Sequence, residues 1–404
     1  MSVTLLKEVI LPAACSKNGF KLIECSLDSE YKGGDQFQSN VVFVTATVLE
    51  GSNKKDLPLV VKFEPFDKEI QRELRTAIQF HNEVLVYNDL LPLLNKYNKI
   101  TQIFPKFYHG ISTLTLPEDD VIVIEDLRPK GFQMAKQRVM LDYEHLKLAM
   151  EKLGIYHALS YITKHERPNE FYNLVKNLKE TTWIDDGLVI SPVIKHAFHR
   201  AMDPLIAADK HSAILQKVLS RVDESVVKFL LELVHPEEPL AVLCHGDFNR
   251  NNMLFKYNQD VPESVRFFDV ATARYSSPSI DIAFLLFMNS TKEVRSAHWD
   301  DLLSVYHQSL TNNLGAIHGP SMQQLQEEMR LKGVYGYVHA SFFLPMMLFE
   351  SDFTMDDLLN LSPEEVAVKQ AKIGGEEGTK MLMELVEELV SRGCLTLDHP
   401  FLMQ

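Results

Sequence analysis

The chain is short of cysteine, of positive charge and of long apolar runs, and each shortage removes a class of protein. Four cysteines are scattered at positions 15, 25, 244 and 394, and none stands in a metal-ligand spacing. Lys and Arg number 41 against 55 Asp and Glu, giving a net charge of −14. A nucleic-acid polymer is therefore not expected as a partner, because phosphate neutralisation needs basic side chains. A local basic pocket is still allowed. The apolar runs Ile282–Met288 and Phe342–Phe349 fall far short of the ~20 residues that span a bilayer. Met1–Ser16 contains Lys7 and Glu8 and lacks the basic start and unbroken apolar core of a signal peptide. A cytoplasmic protein with reduced cysteines and no membrane span is expected. There is no internal repeat or low-complexity tract, and nothing fixes the oligomeric state. What remains is an ordinary globular composition, 46% apolar, over 404 residues, enough for two or three lobes.

One stretch carries chemistry. It reads Leu243-Cys244-His245-Gly246-Asp247-Phe248-Asn249-Arg250-Asn251-Asn252-Met253-Leu254-Phe255. After a polar gap come Val265-Arg266-Phe267-Phe268-Asp269 and then Ser277-Pro278-Ser279-Ile280-Asp281. An Asp is followed five residues later by an Asn, and a second Asp ends a short apolar strand. Phosphoryl transfer needs this set: a carboxylate to orient the attacking hydroxyl, and hard oxygen ligands for Mg²⁺ on the polyphosphate. Asp247 is therefore the candidate base or orienter, with Asn252 and Asp269 as candidate metal ligands. A lone His-Gly-Asp is a common turn; the full string is far more specific.

Upstream residues extend this reading. Gly33 and Gly34 open a hairpin that leads through Ser39 into the β-branched run Val41–Val48. Glycine allows backbone N–H groups to approach phosphate oxygens closely, although Gly-Gly-Asp is also an ordinary hairpin turn. The strand Leu57–Phe63 ends in Val60-Val61-Lys62-Phe63, placing Lys62 where kinases keep the lysine for the α/β-phosphates. Glu69–Leu91 reads as a helix stopped by Pro92, with Phe80, Val84, Tyr87 and Leu91 on one apolar face. Glu83 at its margin is the candidate partner of Lys62, and Glu73 the competitor.

These residues resemble the ecdysteroid kinase-like family, within the aminoglycoside phosphotransferase and choline kinase group. The resemblance rests on His245-Gly246-Asp247, Asn251-Asn252, Asp269 and Ser277-Pro278-Ser279-Ile280-Asp281. The loop Gly34-Asp35-Gln36-Phe37-Gln38-Ser39 and the pattern Phe80, Glu83, Tyr87 add to it. It covers about Gly33 to the final helices. It implies an α+β, protein-kinase-like two-lobed fold, with a small β-rich lobe over 1–127 and a large, mostly helical lobe over 128–404. It also implies ATP and Mg²⁺ as cofactors and a small-molecule hydroxyl, ecdysteroids being the known type, as acceptor. By resemblance Glu125-Asp126-Leu127, ending the strand Val121–Ile124, forms the hinge, so Glu125 and Leu127 join the nucleotide-binding candidates. Asp281 would hold the catalytic loop backbone in place.

One departure stands out: the family's usual aromatic and Gln after the metal Asp are Val270 and Ala271 here. A non-catalytic nucleotide- or sterol-binding pseudokinase is thereby the reading from a different class. Choline and ethanolamine kinases tend to have Asn at the position of Gly246, which leans away from them. Protein kinases carry an Arg between the His and the Asp, which is absent.

Elsewhere, a short helix is expected within Met1–Gly19, strands over Lys21–Ser29 and Ile103–Tyr108, and a long helix over Tyr143–His165 with His157 as a packing histidine. Asn169–His235 reads as helical, punctuated by Pro192 and Pro204. Ser277 is the expected N-cap of the apolar helix that follows it, with Pro278 in the first turn. Glu293–Ser309, Met322–Leu331 and Tyr335–Phe349 read as helices, the last bent by Pro345. Asp352–Glu364 reads as a break, and a final amphipathic helix as Gly378–Arg392.

Overall fold

The computed structural model describes residues 3–28, 40–64, 68–114, 120–187 and 189–402. The expected glycine hairpin, with Gly33, Gly34 and Ser39, lies outside them. The chain has a protein-kinase-like α+β fold and divides into two compact units. One comprises residues 1–134, 166–181 and 253–273; the other comprises 135–165, 182–252 and 274–404.

The first unit is built on an antiparallel five-stranded sheet of β1 (Lys21–Leu27), β2 (Asn40–Glu50), β3 (Asn53–Phe63), β4 (Phe107–Ile111) and β5 (Val121–Glu125), in the order β1-β2-β3-β5-β4. Its apolar face packs on the N-terminal helical segment, including α1 (Leu11–Lys17), through Ile10, Leu11, Ala14, Val44, Leu59, Val61, Phe63 and Val123. The strand period of two puts Leu59, Val61 and Phe63 into that core. The same period turns Lys62 to the opposite face.

Two sequence expectations change in this unit. The helix expected over Glu69–Leu91 is broken at Arg75, whose φ of 53° interrupts it. Lys68–Leu74 is therefore separate from α2 (Thr76–Leu85), which continues through Val86–Leu90 into Leu91–Leu94. Pro92 sits in the first turn of that last segment, where its missing N–H costs no helix bond, so it does not stop the run. The apolar face survives, with Phe80, Tyr87 and Leu91 buried. The strand expected at Ile103 starts instead at Phe107, because Ile103 and Phe104 lie before Pro105 and the Ile103 carbonyl accepts the N–H of Phe267 at 2.8 Å.

A second sheet in this unit joins β6 (Phe132–Gln133), β8 (Met253–Asn258) and β9 (Val261–Phe267) in the order β6-β8-β9. The second unit holds the short ladder of β7 (Val242–Cys244) with β10 (Arg274–Ser276), Cys244 facing Arg274 in register. Around it lie α3 (Tyr143–Glu166), α4 (Ile190–Ala207), α5 (Ser212–Val234), α6 (Ser279–Asn289), α7 (Lys292–Leu314), α8 (Val334–Leu348) and α9 (Gly375–Ser391). Every residue of α6 is buried, as its unbroken apolar run requires.

Further corrections concern helix ends. Pro192 and Pro204 both lie inside α4 and do not interrupt it, since they fall in its first and last turns. Helix α6 begins at Ser279 with Pro278 before it, and Ser277 does not cap it; the Ser277 hydroxyl oxygen accepts the N–H of Ser279 at 3.3 Å. The expected break at Asp352–Glu364 contains helix Met355–Asn360 and the start of Pro363–Gln370. Each is opened by a capping box, Thr354 with Asp357 and Ser362 with Glu365, a sequence signal that the polar composition concealed.

Candidate active site

In the first unit three side chains converge from three elements. Lys62 Nζ on β3 lies 2.6 Å from Glu83 Oε2 on α2 and 3.0 Å from Asp269 Oδ1, just after β9. Glu83, not Glu73, is the partner of Lys62; Glu73 pairs with Arg72 at 2.8 Å. The Lys62 ammonium also lies 5.5 Å from the ring centre of Phe80, so α2 contributes an aromatic as well as a carboxylate. Glu83 is 2% exposed and Asp269 39%, so Glu83 is the internal anchor and Asp269 the carboxylate open to a further ligand.

The charges in this cluster are strongly coupled. Burial pushes the Glu83 carboxyl up to about 7; Lys62 opposes this and the nearby Asp269 adds to it. Burial alone would discharge Lys62, but Asp269 and Glu83 together outweigh it and hold the ammonium above the ordinary lysine range. Asp269 has φ 61°, a left-handed conformation uncommon for a residue with a Cβ. Strain of this kind persists where the surrounding structure fixes it, and it clusters at functional sites.

In the second unit, β7 delivers the chain into a tight loop. Gly246 has φ 87°, which glycine adopts without strain, and Asp247 follows. Asn252 Nδ2 donates to Asp247 Oδ2 at 2.7 Å and to the Asp247 carbonyl at 2.9 Å. An amide has one donor end and one acceptor end. With its nitrogen pinned to Asp247, Asn252 keeps its oxygen for a different partner.

The loop is fastened at both ends to α6. At the start of that helix Asp281, fully buried, accepts the N–H of His245 at 2.7 Å and that of Gly246 at 2.9 Å. At its end Asn289 Oδ1 accepts the N–H of Arg250 at 2.9 Å. The eight intervening steps of a helix span roughly 12 Å, so one rigid rod sets the length of the loop. His157 on α3 closes the arrangement, with Nε2 3.2 Å from Asp281 Oδ2 and Nδ1 2.9 Å from the hydroxyl of Tyr306 on α7. His157 is thus a buried hydrogen-bonded residue behind the loop. Sequence reading did not find Tyr306 or Asn289; polar residues at the two ends of an otherwise apolar helix were the available signal.

The remaining candidates are placed as follows. The Glu125 N–H is used by the Lys106 carbonyl at 2.8 Å, and its carboxylate meets Lys130 at 2.5 Å. Leu127 has a buried side chain, and its carbonyl accepts the Lys130 N–H at 3.0 Å; among the described residues nothing accepts from its own N–H. Val270 and Ala271 are both buried, so the departure from the family pattern substitutes apolar packing for a polar side chain.

Two donor sets deserve comparison as metal sites. His157, Cys244 and Asp281 bring a nitrogen, a sulfur and a carboxylate within 4.8 Å of one another. Both Asp281 oxygens already accept backbone N–H groups. Burial, with Asp281 adding, raises the Cys244 thiol well above its usual range, so the thiolate a metal needs is disfavoured. That trio is structural. The amide oxygen of Asn252 and the carboxylate of Asp269 are hard donors, which fit Mg²⁺.

This fold and these two clusters define a protein of the kinase-like phosphotransferase superfamily. The chain belongs to the ecdysteroid kinase-like family, whose model matches residues 33–319. Among solved structures it is similar to the microcompartment-associated aminopropanol kinase, with 10% identity, coverage of 96% of this chain and 99% of that one, and a TM-score of 0.43. It is also similar to the Plasmodium vivax ethanolamine kinase, at 16% identity, 86% and 82% coverage and a TM-score of 0.41. A third is aminoglycoside 2'-phosphotransferase IIIa in its GDP complex, at 12% identity, 91% and 92% coverage and a TM-score of 0.41. No curated protein matches the chain significantly. Among the described residues no helix is long and apolar enough to cross a membrane.

Proposed function

We propose that the protein transfers the γ-phosphoryl group of ATP to a hydroxyl of a small molecule, and that the acceptor is a polyhydroxylated steroid of the ecdysteroid type. The observation that carries the reaction class is the Lys62–Glu83–Asp269 cluster, in which a buried carboxylate holds a strand lysine beside a solvent-facing aspartate. The acceptor class rests on the family alone.

In this reading residues 1–127 form the nucleotide-covering lobe and 128–404 the lobe that carries Asp247 and the acceptor pocket. Lys62, fixed by Glu83, meets the α- and β-phosphates. Gly33, Gly34 and Ser39 cover the phosphates with backbone N–H groups. The Leu127 N–H is the donor to the adenine edge, at the end of the strand closed by Glu125. The Asn252 amide oxygen and Asp269 would hold Mg²⁺, which when bound supplies charge neutralisation on the phosphates. Asp247 aims the acceptor hydroxyl. The hydroxyl oxygen bonds to the γ-phosphorus, the bond to the β–γ bridging oxygen breaks, and ADP leaves. The hydroxyl proton passes to Asp247 and then to solvent, late in a loose transition state.

The test is Mg-ATP consumption with a panel of a polyhydroxylated steroid, choline, ethanolamine and an aminoglycoside. Turnover of the steroid, abolished in Asp247→Ala, supports the proposal. Preference for choline or ethanolamine would move the acceptor to the choline-type class. An Asp247→Ala protein that turns over at the parent rate would remove the catalytic assignment. ATP binding without product from any alcohol would favour a non-catalytic nucleotide-binding protein.

A further inference from the structure

Between Asp247 and Asn252 stands a polar side chain that the reaction above does not use. Asn249 is nearly buried, 9% exposed, and its Nδ2 donates to Asp247 Oδ1 at 2.6 Å. The same nitrogen lies 3.3 Å from the Asp247 carbonyl, which also accepts the Asn249 backbone N–H at 3.0 Å. At its other end Asn249 Oδ1 accepts the Asn251 N–H at 2.8 Å. On the second carboxylate oxygen of Asp247 sits Asn252 Nδ2, at 2.7 Å. Each oxygen of Asp247 therefore carries one side-chain amide N–H, from residues two and five positions further on.

The terminal torsion of an aspartate is soft and roughly two-fold, so an unrestrained carboxylate swings through a broad range. A donor on each oxygen removes that freedom and fixes the plane of the group. An ionised carboxylate has about four lone-pair directions, so each oxygen keeps one for an incoming hydroxyl. A hydroxyl that meets a lone pair already aimed at it pays no reorientation at the moment of reaction, and this is where positioning contributes rate. Asn252 has a second task in the proposed site, through its amide oxygen. Asn249 has none: its acceptor end is used by the loop and its donor end by Asp247.

We infer that Asn249 is a positioning residue for phosphoryl transfer, one that sets the orientation of the Asp247 carboxylate toward the acceptor hydroxyl. The inference rests on the phosphoryl-transfer reading given above. The competing explanation is that Asn249 only braces the loop through its bond from Asn251, and one substitution separates the two. Asn249→Asp keeps the shape and the oxygen that accepts from Asn251, but it cannot donate to Asp247 when ionised.

The experiment measures kcat and KM for ATP and for the best alcohol of the panel in the parent, N249D, N249A and N249H. Slow ATP hydrolysis, with water as acceptor, serves where no alcohol is turned over. The expected result is a kcat about ten- to hundredfold lower in N249D and N249A, with KM for ATP within about twofold of the parent. N249H, which restores an N–H donor, recovers part of the loss. Thermal melting shows whether each variant is folded. N249D at the parental kcat overturns the inference. So does an N249H that is no better than N249A while both melt with the parent. If D247A is inactive and N249D is not, the inference alone fails. If D247A turns over normally, or no ADP forms from any acceptor including water, the reaction assignment fails and takes the inference with it.

Discussion

Asp281 and Gly246 are joined by a single bond, from the Gly246 backbone N–H to Asp281 Oδ1 at 2.9 Å, with no solvent at the carboxylate. Together with the bond from His245 it fixes the backbone immediately before Asp247. Asp281→Asn should keep the fold's shape but replace one acceptor oxygen with a donor that faces an N–H. Hydrogen bonds to a buried charge contribute about 1.5–3 kcal/mol each, so a loss of roughly 2–4 kcal/mol is expected. Denaturant unfolding reads it, and phosphotransfer should fall further than stability accounts for. A variant as stable and as active as the parent would show that the loop holds itself.

Glu83 gives the protein a pH dependence of definite sign. Its folded-state value of about 7 lies above the model value of 4.5. Between those values the folded protein binds the extra proton, so this group's contribution to stability falls as pH rises through the window. The Lys62–Glu83 ion pair behaves oppositely, being complete only above about 7. Nucleotide affinity of the metal-free protein should therefore weaken as pH drops from 8 to 6, and Glu83→Gln should abolish that slope. Titration calorimetry with ATP at several pH values checks it; an unchanged slope in the variant would reassign the titration to another group.

His339 on α8 carries the reverse sign. Burial, with Arg274 adding, holds its imidazole down at about 3, below the ordinary 6.5, and its ring stacks on Phe284 at 4.0 Å. The unfolded chain takes up the proton first as pH falls, so stability is lost between about 6.5 and 3. The one polar contact of the ring is Nδ1 with the Tyr335 carbonyl at 3.4 Å, so Phe fits the site. His339→Phe should leave stability at pH 7.5 within about 1 kcal/mol of the parent and flatten the acid limb of the unfolding curve. An unaltered acid limb would show that other groups dominate it.

Helix α8 crosses α6 at Gly336, where an added Cβ would come within 2.3 Å of the Ala283 carbonyl oxygen and 2.6 Å of the Phe287 ring. Backbone cannot yield there as a flexible side chain would. Gly336→Ala, ordinarily a helix-favouring change, should instead destabilise by about 1–3 kcal/mol. It should also lower activity, because α6 carries both fasteners of the Asp247 loop. A rise in melting temperature would mean that the two helices separate without cost.

The sequence by itself determined the reaction class and the main residues. Asp247, Asn252 and Asp269 stand at spacings set by a loop and a hairpin, and local chain geometry fixes such spacings. Lys62 was legible from strand alternation, since Val61 and Phe63 had to face the core, and Glu83 from its place beside an apolar helix face. Helix ends were read less well. Arg75 takes a left-handed conformation that no local pattern demands, and the capping boxes at Thr354 and Ser362 hid within a polar stretch. Only the tertiary structure decided which polar side chains meet across the chain. His157 could be read as packing, yet its partners Asp281 and Tyr306 lie more than a hundred residues away. Asn289 holds Arg250 only because α6 is long enough to reach both ends of the loop. Hydrogen bonds of this kind depend on distances of a few ångströms between segments remote in sequence, and those distances are set by how the helices pack.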